Sequence, residues 1–201
     1  MRTKSFISQS RWLATIVLLL VLGVGSINAT TIVSWADAAR TANSQVSPTD
    51  NDGNNSGARL MSECNLNSAG SGGAAGSHYG GWTGGKSIYI TGLTLSGYSS
   101  ISLTLGKLRR RYSCTASMYT STDGSSYSNT AFATKTLTNT NADWEISNIE
   151  SSVQAIKITI TGASNGDNLW LGSVTIAGTA SSCSTKLTLT HASPAPSNGS
   201  S

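Results

Sequence analysis

Three stretches of the chain alternate apolar and polar residues with a period of two. In SIYITGLTL, Ile88 and Ile90 share a face; in SISLTL, Ile101, Leu103 and Leu105 do. In AIKITIT, Ile156, Ile158 and Ile160 fall on one side, with Lys157 and Thr159 on the other. This period, carried by β-branched residues with one wet face, is the mark of antiparallel strands. ARLMS, CTASMYT, TAFATKTL, DWEISNI and LWLGSVTIAG bring the expected number to about eight. Asp123-Gly124 is a turn signal, because glycine tolerates positive φ, and LSGYSS and TGASNGDN read the same way. WADAARTANSQV, from Trp35, is the only helical-looking patch. Short strands without helices in the core mean an all-β fold: an antiparallel β-sandwich, most simply a jelly roll of about eight strands.

The later strands carry a family resemblance. TSTDGSSYS through ADWEI, then AIKITITG, then NLWLGSVTIAG, resembles the second half of galactose-binding-like jelly-roll modules. These include discoidin-like and carbohydrate-binding modules of secreted bacterial proteins. In them a hairpin of the STDG…Y kind precedes a tryptophan strand and an x-I-K-I-x-I strand. The domain then closes on V-x-I-x-G, here Val174, Ile176 and Gly178. The resemblance covers about Ala58 to Gly178 and implies the sandwich fold more than any one activity. Those modules often carry an acidic residue where this chain has Gly172 and Ser173, so no calcium or sugar site transfers to that strand.

The first 29 residues read as a secretory signal peptide. Arg2, Lys4 and Arg11 make a basic start, Trp12 to Val24 is an apolar run of 13 residues, and small residues follow. The run is short for a membrane span, which needs roughly 20 residues, so no span is expected after the leader is removed. Residues 30–57 then read as an N-terminal strand and loop segment, 58–178 as the sandwich, and 179–201 as a linker or the start of a following module. The expected location is extracellular or at the cell surface. The leader also changes the charge picture. The chain has 13 basic and 9 acidic residues, but three of the basic ones lie in the leader, leaving ten against nine. The sequence pI of about 9.1 therefore does not point to nucleic acid as a partner.

Candidate ligand-binding residues are Tyr79, Trp82, Lys86, Trp170, Arg109 and Arg111. Tyr79 and Trp82 sit in GSHYGGWTGG, where two rings in a glycine-rich loop would stack on a sugar while His78 and Lys86 donate hydrogen bonds. Trp82 would equally serve to plug one end of the core, or the stretch could be a free spacer. Trp170 alternates with Leu169 and Leu171, so it faces the opposite side of its sheet from them and would form a platform if exposed. Trp144 shares a face with Ile146 and reads as core. GKLRRRY gathers Lys107, Arg109, Arg110 and Arg111 and reads first as a charged hairpin or edge that blocks strand addition; the same cluster would suit uronates, sulfated glycans or nucleic-acid phosphate.

Two further features remain. Asp50, Asp52 and Asn54 in DNDGNN offer oxygens at alternate positions, which suits a structural calcium ion, though an ordinary polar turn has the same composition. Of Cys64, Cys114 and Cys183, a Cys64–Cys114 disulfide would close a loop of about 50 residues and stabilise by roughly 4 kcal/mol; a buried thiol is the alternative for Cys114. Catalytic chemistry is not indicated. His78 and His191 are far apart, and Asp143 and Glu145 are neighbours on one strand face rather than a pair across a cleft. The expected function is a non-catalytic module that binds a glycan, a cell-surface polysaccharide or another extracellular ligand, with no cofactor. The alternative is a structural or spacer module of a longer secreted enzyme or adhesin.

Overall fold

The computed structural model describes residues 28–66, 68–69, 77–82, 85–162 and 167–181. Residues 1–27, where the leader is expected, the whole of 70–76, and 182–201 with Cys183 and His191 lie outside the described residues. Two antiparallel sheets face each other. The first contains β1 (Thr30–Trp35), β3 (Thr49–Asp50), β5 (Ser68–Ala69), β6 (His78–Trp82), β8 (Tyr98–Arg110), β11 (Ala142–Ile149), β13 (Asp167–Leu171) and β14 (Ser173–Ala180). The second contains β2 (Gln45–Val46), β4 (Arg59–Ser62), β7 (Ser87–Thr91), β9 (Cys114–Ser121), β10 (Ala133–Leu137) and β12 (Ala155–Thr161).

Eight strands build the two walls, β1-β14-β8-β11 and β4-β7-β12-β9, and the shorter ones extend the margins. Successive wall strands mostly cross from one sheet to the other, and β1 pairs with β14, so the first and last described strands lie side by side. The expected inward residues Ile88, Ile90, Leu103, Ile158 and Ile160 are all buried between the sheets, as are Ile101, Leu105, Trp144, Ile146, Val174 and Ile176. Each large aliphatic side chain buried here is worth about 1.5–3 kcal/mol relative to exposure.

Several local expectations are corrected. None of the described residues is helical. The patch from Trp35 instead ends β1, makes an isolated bridge between Arg40 and Leu66, and enters β2. Trp35 is buried, and its Nε1 donates to Val46 O at 2.9 Å, so tertiary contacts settle a segment whose own composition would tolerate a helix. HYGGW is not a loop but strand β6, paired on one side with β13 and on the other with β5. Gly80 has a reason to be glycine: a Cβ there would collide with the backbone carbonyl of Asn65. LWLGSVTIAG is two strands, broken at Gly172, whose N–H donates to Gly106 O and whose carbonyl accepts from Ala38 N–H. A Cβ on Gly172 would meet Lys107 Cδ at 2.7 Å.

The disulfide is also corrected. Cys64 and Cys114 are buried thiols that are not joined to each other. Cys64 follows β4 and Cys114 opens β9, and β7 and β12 lie between those strands. Three ladder steps amount to roughly 14 Å, whereas a bridge needs Cα atoms within about 7 Å.

Candidate functional site

Strand β8 runs the length of the sandwich, from Tyr98 at one end to Arg110 at the other, and the basic cluster is its continuation rather than a hairpin tip. From Ile101 to Leu105 the odd residues point inward. Lys107 then adopts φ of 55°, its N–H turns to Asp143 Oδ1 at 2.9 Å, and the pairing with β11 shifts register between Ala142 and Trp144. This is a bulge, and it reverses the alternation. Leu108 and Arg110 now point inward, while Lys107 and Arg109 come to the outer side. Arg110 is 0% exposed, so one of the four expected surface cations is in the core.

Strand pairing brings three of the expected site residues into one row. Arg109 lies opposite Trp170, and Trp170 opposite Tyr79. The Arg109 guanidinium stands over the Trp170 ring, 4.8 Å from its centroid, and its Nε and Nη2 both donate to Asn139 Oδ1, at 2.9 and 2.6 Å. Trp170 is only 5% exposed, because β13 is covered on both faces, so its ring is not an open platform. Arg111 is exposed, with its guanidinium 5.4 Å from the ring centre of Tyr112, which is 56% exposed. The described contacts of both guanidinium groups are with neutral groups.

The remaining candidates are scattered. Trp82 lies at the end of β6 opposite Asp167, and its side chain, like that of Tyr79, is outside the described residues. Lys86 is exposed just before β7, in the other sheet. Asp143 and Glu145 are exposed on β11, with Asp143 engaged by Lys107 N–H. Asp50, Asp52 and Asn54 sit at the opposite end of the sandwich and are drawn into their own loop. Asp50 accepts from Gly53 and Asn55 N–H, Asp52 from Asn54 N–H and the Asn55 amide, and Asn54 Nδ2 donates to Asp52 O. Partial burial pushes the Asp52 carboxyl up, but hydrogen bonds with Asn54, Asp50, Asn55 and Tyr98 together outweigh it and hold it below the usual carboxylate value. Among the described residues no group of three or more histidine, cysteine or acidic side chains is placed to hold a metal.

Sequence reasoning missed Arg40. It is 4% exposed, and while its Nε donates to Ala38 O at 2.7 Å, Nη1 and Nη2 have no hydrogen-bond partner among the described residues. Burial pushes its pKa down to about 10, opposed by the nearby charge of Asp37. No local pattern marks such a residue, since its burial comes from the distant segments packed on it.

No protein-family model matches the chain, and no curated protein does. Solved structures similar to it include two cleaved adhesin domains of Lys-gingipain (Kgp) from Porphyromonas gingivalis W83. The K1 domain is 13% identical with a TM-score of 0.41, over 74% of this chain and 96% of that one. The K3 domain is 15% identical with a TM-score of 0.45, over 75% and 99%. No helix among the described residues is long and apolar enough to cross a membrane.

Proposed function

We propose that the chain is a non-catalytic β-sandwich module of a larger secreted protein and binds an acidic extracellular polysaccharide at the Arg110 end of β8. The observation that supports this is the arrangement of Arg109 and Arg111. They flank the last residue of β8, and each has its guanidinium over an aromatic ring. Asn139 and Trp170 hold the Arg109 fork in one orientation before any ligand arrives. A planar, pre-oriented guanidinium matches a uronate carboxylate or a sulfate in two-point contact, and little side-chain entropy is lost on binding.

The burial of Trp170 beneath Arg109 favours a second reading, in which the trio seals the sandwich end of a spacer module. Titration with polygalacturonate and with heparin separates the two. Binding readings require micromolar or tighter association that weakens as salt rises, and an approximately tenfold loss in Arg109→Ala with the melting temperature little changed. Arg109→Lys keeps the charge but loses the fork, and should fall between. Equal binding by wild type and Arg109→Ala, or no binding to either polymer, overturns the proposal in favour of the spacer.

A further inference from the structure

The outer face of the second sheet carries three of the chain's six tyrosines. Pairing sets Met61 opposite Tyr89, Tyr89 opposite Lys157, and Lys157 opposite Tyr119. Phe132, whose N–H donates to Met118 O at 2.7 Å, follows beside Tyr119 and is 41% exposed. One row therefore crosses β4, β7, β12 and β9 to the margin of β10, roughly 19 Å at about 4.8 Å per strand. The connection between β9 and β10 adds Tyr127, its ring centre 6.1 Å from that of Tyr89 and tilted by 59°. Lys157 Nζ lies between two rings, 4.9 Å from the centre of Tyr119 and 5.0 Å from that of Tyr127.

The polar groups around the row are mixed in kind. Lys157 contributes one ammonium. Glu63 contributes one carboxylate, which accepts from Tyr89 OH at 3.3 Å and Ser87 N–H at 2.6 Å. In the neighbouring row Ser87 Oγ and Thr159 Oγ1 share a hydrogen bond at 2.9 Å, and Ser117 pairs opposite Thr159. Ser87 and Ser117 are buried and Thr159 is half-buried, so the half-buried rings with the Lys157 ammonium beside them are what a partner would meet, and they suit one with apolar C–H faces and hydroxyl edges. One positive and one negative group together give no preference for an acidic ligand. We propose that this face is a second binding platform, independent of the Arg109 site, for a neutral polysaccharide chain laid along Tyr89, Lys157, Tyr119 and Phe132.

The competing role for these rings is purely structural, with Tyr127 pinning the connection between β9 and β10 to the sheet. The test therefore uses Tyr119 and Phe132, which lie outside the hairpin tip. The full chain is mixed with insoluble β-glucan, mannan and galactan, and the bound fraction is measured at low and at about 0.5 M salt, where charge pairs are screened. Retention by at least one of these polymers is expected, with little dependence on salt. Tyr119→Ala with Phe132→Ala should reduce that affinity by about tenfold or more, and Tyr119→Phe should restore the part due to the ring. Arg109→Ala should leave it unchanged, so failure of the Arg109 site and failure of this one are separable. No retention by any neutral polymer, or a double variant that melts earlier yet binds like wild type, overturns the proposal.

Discussion

The two ends of the sandwich treat charge in opposite ways. At the Tyr98 end the acidic side chains close their own loops. Asp50 and Asp52 accept backbone N–H groups within two to five residues, and Asn55, fully buried, ties that loop to Thr94 through both its amide nitrogen and its oxygen. Asp123 does the same in the β9–β10 connection. Its Oδ1 accepts from Ser126 and Ser125 N–H and from the Ser121 hydroxyl, and these bonds hold its carboxyl well below the ordinary value. At the Arg110 end the guanidinium groups of Arg109 and Arg111 meet ring faces and an amide oxygen instead. A carboxylate occupied by backbone donors has little left to offer a partner. A guanidinium lying on a ring keeps donors for one.

The sharpest test of that difference is Asn55→Ala. Removing the amide strips Thr94 of both its loop hydrogen bonds, and stability should fall by about 3 kcal/mol in urea unfolding, since buried backbone groups lose their partners. At the other end, Arg109→Ala should cost less than about 1 kcal/mol of stability, because a half-exposed cation contributes little to folding. Equal losses from the two substitutions would erase the distinction between a structural end and an available one.

The acid limb sharpens the comparison further. Asp52 and Asp123 have folded-state carboxyls below the ordinary value of 3.8, so their contribution is fully present above that value. It is lost as pH falls through their folded values and the bound protons favour the unfolded chain. Stability should therefore be flat from neutral pH to about pH 5 and decline below pH 4. Asp123→Asn should flatten the decline without altering the proposed polysaccharide binding measured at pH 7. The smallest expected effect is that of reductant: with Cys64 and Cys114 unbridged, dithiothreitol should leave the melting temperature unchanged. A drop of several degrees would mean that a disulfide forms after all.

The site was only partly legible. Tyr79, Trp170 and Arg109 could each be picked out as a residue type in a suggestive context, but their shared row depends on pairing among three strands far apart in the chain. The Tyr89–Lys157–Tyr119 row was passed over entirely. Each of its members looks like an ordinary outward residue of its own strand, and Lys157 read simply as the wet face of AIKITIT.

The sequence by itself determined the fold class, the walls and most of the core, because period-two alternation is local: each strand records along its own length which side meets the other sheet. That is why Ile88, Ile90, Leu103, Ile158 and Ile160 could be placed inward from the letters alone. Only the tertiary structure decided where the alternation reverses. At Lys107 a left-handed residue and a bulge opposite β11 move Arg110 into the core and Arg109 outward. At Asn148, φ 60°, a second register shift between Ile146 and Ile149 lets both isoleucines face inward despite their odd spacing. A bulge inserts one residue against a partner strand, so its position is a property of the pair of strands and cannot be read from either one.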